Sequence, residues 1–138
     1  MEKNFIMDPL RIAFIVGTRP EAIKLAPLYR EMRQRAEVFS PRLWATGQHR
    51  QMLDQAFQTF GLTPDRDFDV MRPDQSLTEV TCAILRAMQG AFQEEKPAMI
   101  LVQGDTTTVF AASLAAFYAG IPIGHVEAGL RTWNKQSP

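Results

Sequence analysis

The chain has 138 residues, 46% of them hydrophobic and 22% charged, which fits one domain of ordinary size with a core of its own. A formal net charge of zero supplies no global field for nucleic acid, so any anion site has to be local. Aromatic and basic residues are not interleaved either, which argues further against nucleic-acid binding.

The first ten residues, Met1 to Leu10, carry Glu2, Lys3 and Asp8. They lack the apolar core of a signal peptide and read as a short extension. Arg11 to Val16 (RIAFIV) is apolar and β-branched, and Gly17 ends it, the pattern of a buried strand. A helix is predicted from Pro20 to Arg35, with Pro20 in the first turn, where its missing N–H costs nothing. Pro27 predicts a kink, or a helix that tightens only beyond it, because the Ile23 carbonyl loses its partner.

Phe39 to Ala45 reads as the second strand and Gln48 to Phe60 as the second helix, stopped by Gly61 and Pro64. Asp67 to Met71 is a candidate short third strand. Ser76-Leu77-Thr78-Glu79 has capping-box form, with the hydroxyl on the Glu79 amide and the carboxylate reaching back. The helix it opens extends to Glu95, before Lys96-Pro97. Cys82, the only cysteine, lies in that helical pattern and reads as a small buried hydrophobe. Without a second cysteine no internal disulfide forms, in agreement with a reducing compartment.

Met99 to Gln103 is a further buried strand, Thr107 to Ala119 a helix, and Ile121 to Val126 the last strand. Thr106 to Val126 carries no formal charge and is long enough for a membrane span. Gly120 and Pro122 divide it, so a helix–turn–strand unit is expected and not a membrane segment. The alternation predicts an α/β fold, a Rossmann-like parallel sheet with helices on both faces and right-handed crossovers.

In such a sheet, ligands bind beyond the C-terminal ends of the strands, and the polar residues collect there. Gly17-Thr18-Arg19-Pro20-Glu21 follows the first strand. Gly17 would let a backbone approach closely, the helix start would offer free N–H groups and partial positive charge, and Arg19 would add a planar fork for phosphate oxygens. Lys24 is one turn further on. A diphosphate or carboxylate pocket and a tight turn with a solvated arginine fit this segment equally well; it is neither a GxGxxG fingerprint nor a P-loop.

Asp105, in Gly104-Asp105-Thr106-Thr107-Thr108, reads as an ordinary helix N-cap or as a rim carboxylate for acid–base work. Glu127 follows a strand expected to be buried, and at that depth it would need a partner or a raised pKa. His125 either orients a neighbour or is a satisfied core histidine. Gln48-His49-Arg50 is a polar turn whose lone histidine has no ligand spacing around it, so no metal site is expected. No serine stands in a GxSxG context.

Gly17 to Lys24, Gly47 to Arg50, Gly104 to Thr107 and His125 to Arg131 together resemble the non-hydrolysing UDP-N-acetylglucosamine 2-epimerase family, in its order and spacing, over nearly the whole chain after Leu10. The resemblance implies a GT-B-type two-domain fold, with residues 11–138 as most of its N-terminal domain and a UDP-sugar in the cleft between domains. It implies interconversion of UDP-N-acetylglucosamine and UDP-N-acetylmannosamine by elimination of UDP to a glycal and re-addition on the other face, with no cofactor or metal. Arg19 and Lys24 would contact the substrate, with Gly17 and Thr18 beside them. Asp105 and Glu127 would be the active-site carboxylates. Gln48 and Gln51 resemble positions that touch a second, activating substrate molecule in some members. The resemblance further implies a homodimer and a cytoplasmic enzyme of polysaccharide biosynthesis. The family continues past Pro138 with another acidic segment and a second domain that supplies a histidine and most nucleotide contacts. The chain is therefore expected to be an incomplete part of the enzyme with little or no turnover. A hydrolysing epimerase, a glycosyltransferase of the same fold and a non-catalytic sugar-nucleotide-binding domain are the alternatives.

Overall fold

The structure is a computed structural model and describes residues 8–48, 50–127 and 132–137. Five strands and four helices alternate among these residues: β1 (Leu10–Val16), α1 (Arg19–Gln34), β2 (Phe39–Ala45), α2 (Arg50–Phe60), β3 (Arg66–Asp67), α3 (Leu77–Glu94), β4 (Met99–Gln103), α4 (Thr107–Tyr118) and β5 (Ile123–Val126). The strands form one sheet in the order β3-β2-β1-β4-β5, and every pairing is parallel. The α/β, Rossmann-like class expected from the alternation is the class observed.

Strand alternation sends neighbouring side chains to opposite faces. Ile12, Phe14 and Val16 of β1 join Ala22, Leu25 and Tyr29 of α1 and Leu53, Ala56 and Phe57 of α2 in one core. Ala13 and Ile15 join Val80, Ile84 and Met88 of α3 and Val109, Ala112 and Ala116 of α4 in the other. Helices α1 and α2 therefore cover one face of the sheet, and α3 and α4 cover the other.

Helix α1 runs through Pro27 without a break. Its buried stripe of Ala22, Leu25, Ala26 and Tyr29 holds it on the sheet, and that packing offsets the ~3 kcal/mol a proline costs inside a helix. Helix α3 opens with the expected box: the Glu79 amide donates to the Ser76 hydroxyl at 3.2 Å and the Ser76 amide donates to the Glu79 carboxylate at 2.7 Å. Glycines at φ 61° and 64° (Gly61 and Gly120) close α2 and α4. In each case the next amide reaches back five residues, Leu62 to the Phe57 carbonyl and Ile121 to the Ala116 carbonyl, the Schellman arrangement.

Several boundaries move for physical reasons. The Ile121 amide is spent on closing α4, so β5 starts at Ile123 and not at Ile121. Strand β3 is confined to Arg66–Asp67 because Asp69 takes a φ of 43°; the ladder still continues through Phe68 to the Ala45 carbonyl and Val70 to the Thr46 carbonyl. Helix α2 starts at Arg50. Cys82 is exposed, not buried, because the buried stripe of α3 runs through Val80, Ile84, Met88 and Ala91 and position 82 turns away from it. The uncharged Thr106–Val126 stretch forms α4, a turn at Gly120 and β5, the expected helix–turn–strand unit, and no helix among the described residues is long and apolar enough to cross a membrane.

Candidate functional site

The strand order reverses between β1 and β4. That switch point opens a crevice at the C-terminal ends of the two strands, where open α/β sheets bind ligands. The turn after β1 contributes Gly17 and Thr18, the turn after β4 contributes Gly104 to Thr106, and Glu127 follows β5 at the same end.

A carboxylate not singled out from sequence ties the first two turns together. Glu21 is 1% exposed. One of its oxygens accepts the Gly17 amide at 2.6 Å and the Thr18 amide at 2.8 Å, and the other accepts the Thr106 hydroxyl. Thr18 is the N-cap residue of α1, and its buried hydroxyl faces the Glu21 amide without a hydrogen bond of ordinary geometry. Burial raises the Glu21 pKa above the ordinary 4.5, and the bonds from Thr106, Gly17 and Thr18 pull it part of the way back. The two amides that lead into this helix, at Gly17 and at the N-cap Thr18, are thus already occupied by the chain's own carboxylate.

Gly17 also differs from expectation. Its open side faces protein and not a ligand: a Cβ there would overlap the Thr108 hydroxyl and lie 2.6 Å from the Thr46 hydroxyl. Those two hydroxyls are 2.9 Å apart, and Thr108 donates to the Gln48 side-chain oxygen at 2.9 Å. Gln48 therefore anchors the turn after β2 to the start of α4. Gln51 is exposed on the first turn of α2.

Thr106, and not Asp105, caps α4, its hydroxyl accepting the Val109 amide at 3.3 Å. Asp105 is left exposed at the apex of the turn, with its helix-capping reading removed. Arg19 is exposed as the first residue of α1.

Glu127 and Lys24 form an ion pair, and the Gln103 amide donates to the same Glu127 oxygen. The depth assumed for Glu127 is absent, because β5 is an edge strand of alternating exposed and half-buried residues and Glu127 is itself exposed. Its pKa is lowered, not raised, first by the hydrogen bond from Lys24. Its backbone sits at φ 57°, the left-handed region that costs a residue with a Cβ energy and clusters at functional sites. His125 is exposed on the same edge, its Nε2 2.6 Å from the Gly104 carbonyl, so it braces the turn after β4 and is no core histidine. His49 and the Ala128–Arg131 part of the last motif lie outside the described residues.

The rim therefore carries an ionised carboxylate beside a cation, a second exposed carboxylate and an exposed arginine. That set can remove a proton and balance negative charge. Glu21, Gln103, Thr106 and Thr108 were not singled out from sequence. Thr18-Arg19-Pro20-Glu21 has the same S/T-x-x-E form as the α3 cap, and Gln103 is the one polar residue in MILVQ, so both left a signal. Among the described residues no cluster of three His, Cys, Asp or Glu could hold a metal ion.

A family model described as UDP-N-acetylglucosamine 2-epimerase matches residues 30–138, and the chain belongs to that family. It is 53% identical over 129 residues to a UDP-N-acetylglucosamine 2-epimerase of Yersinia pestis, covering 94% of this chain and 34% of the relative. Against the enzyme of that name from Escherichia coli K12 the identity is 50%, with the same coverage. Among solved structures, the UDP-GlcNAc 2-epimerase of Neisseria meningitidis bound to UDP-GlcNAc matches with a TM-score of 0.85 and 48% identity, over 94% of this chain and 35% of that one. The chain thus spans about a third of the length of these relatives and corresponds to their N-terminal part.

Proposed function

We propose that residues 11–138 are the N-terminal domain of a two-domain enzyme that interconverts UDP-N-acetylglucosamine and UDP-N-acetylmannosamine. The observation that carries the reading is the Lys24–Glu127 pair with Gln103, set beside Asp105 on a rim whose relative in Neisseria meningitidis was solved with UDP-GlcNAc bound. A base takes the C2 proton as the C1–O bond to UDP breaks, leaving a C1=C2 glycal and free UDP. A proton then returns to the other face of C2 as a UDP oxygen re-forms the bond to C1.

Glu127, held ionised by Lys24, is suited to the base role, and Asp105 is the second carboxylate. Arg19 and Lys24 would balance charge as it develops on the departing diphosphate, with Thr18 and Gly17 shaping the turn beneath them. Gln48 and Gln51 would border a second substrate molecule acting as activator. The remaining nucleotide contacts would come from a second domain, so this chain alone would turn over little. No group outside the protein and substrate is needed for this sequence of steps.

We further assign the assembly as a homodimer in the cytoplasm, supplying an activated sugar for polysaccharide synthesis. The outward face of α4, with Phe110, Phe117 and Tyr118 exposed by 61%, 72% and 74%, supports an assembly that covers it.

Product analysis of the intact protein in D2O tests the reaction. The expected products are UDP-linked N-acetylmannosamine and UDP-linked N-acetylglucosamine, both with deuterium at C2. Free N-acetylmannosamine would instead identify a hydrolysing enzyme, and absence of exchange at C2 would refute the elimination.

A further inference from the structure

The turn after β1 in a Rossmann-like sheet seats phosphate on the free amides at the start of the following helix. Here the two amides of the turn itself, Gly17 and the N-cap Thr18 just ahead of the first helical residue Arg19, point at the protein's own carboxylate. Gly17 and Thr18 donate to one oxygen of Glu21 at 2.6 and 2.8 Å, and Thr106 donates to the other. The Thr106 oxygen already accepts the Val109 amide, so its single proton is free for Glu21. Each of the three donors is thus committed to an anion with 1% exposure.

We propose that Glu21 is a specificity-determining residue: its carboxylate fills the phosphate seat of the β1–α1 turn, so phosphate-bearing ligands are gripped on this rim by exposed side chains such as Arg19 and not by the turn's amides. A mononucleotide or dinucleotide cannot use the turn as other Rossmann-like domains do. The filled seat also spans the crevice: through Thr106 it fixes the turn that presents Asp105, 85 residues away from Glu21 at the Thr106 contact. The inference stands whether or not the epimerase reading holds, since neither the bonds nor the probe below involve the reaction.

The test is a titration of the 15N-labelled chain with inorganic phosphate, followed at the Gly17 and Thr18 amides. The wild-type protein is expected to show no saturable shift at either. E21A, which empties the seat, is expected to gain saturable shifts at both, and E21Q, which keeps an acceptor oxygen in place, is expected to gain none. Saturable wild-type shifts at these amides, or a folded E21A without them, overturn the proposal. If E21A does not fold, the wild-type pH titration decides: the two amides should move with the Glu21 carboxyl carbon through one midpoint, and amides that stay still while that carbon titrates overturn it equally.

Discussion

The hydroxyls of Thr46 and Thr108 meet at 2.9 Å, against the side of Gly17 from which a Cβ would project. The contact makes glycine obligatory at position 17 for reasons of volume. G17A is expected to destabilise the fold by about 1–3 kcal/mol, the usual cost of overfilling a packed site. Adding T108A should return part of the loss, since neighbours in contact do not add. Urea denaturation of the single and double variants measures both; a G17A protein as stable as wild type would contradict the packing.

Glu21 should leave a signature in the pH dependence of stability. Its folded pKa lies above the ordinary 4.5 because of burial. Between 4.5 and the raised midpoint the folded state therefore holds a proton that the unfolded state has released. Stability contributed by this group is full below 4.5 and is lost as pH climbs through the raised midpoint. E21Q, which cannot ionise, should flatten that decline. Denaturation midpoints for the two proteins at a series of pH values give the difference curve, and a difference of the opposite slope would exclude the assignment.

Lys24 holds Glu127 below the usual carboxylate range. K24M should let the Glu127 value rise toward 4.5, visible in the side-chain carboxyl resonance. In the intact enzyme the acid limb of the activity profile should move up in pH with it, alongside a fall in kcat. E127Q should abolish C2 exchange. Because Glu127 occupies a left-handed φ of 57°, E127G is expected to retain thermal stability despite losing the ion pair. A marked fall in the Tm of E127G would show that the backbone at this position carries no strain.

The aromatic face of α4 gives a prediction about assembly. F117D or Y118D should leave the monomer's fold intact, since both side chains are more than two-thirds exposed, yet shift the protein from dimer to monomer in sedimentation velocity. A dimer that survives both substitutions would place the interface elsewhere.

Elements with local signals were legible in the sequence. The α3 cap lies within four residues, and the glycines that stop α2 and α4 sit one step past their helices, so each could be read without tertiary knowledge. Failures came where distant contacts decide. Nothing near Asp69 in sequence announces the positive φ that shortens β3. The choice of Thr106 over Asp105 as cap depends on which side chain Glu21 engages from across the crevice. Glu127 was expected to be buried because Ile121 to Val126 is apolar, yet the strand lies at the sheet edge, a matter of topology and not of composition. The positions of Arg19, Lys24, Asp105 and Glu127 on one rim followed from the strand–helix alternation. The pairing of Lys24 with Glu127, 103 residues apart, did not.

Strand β1 has a consequence for how the molecule comes apart. Ile12, Phe14 and Val16 belong to one core, and Ala13 and Ile15 to the other, so neither layer can melt without stripping the middle strand of half its contacts. The two layers should therefore behave as a single cooperative unit. Ring resonances of Tyr29, on the α1 side, and of Trp44, on the α3 side, should vanish over the same narrow span of temperature.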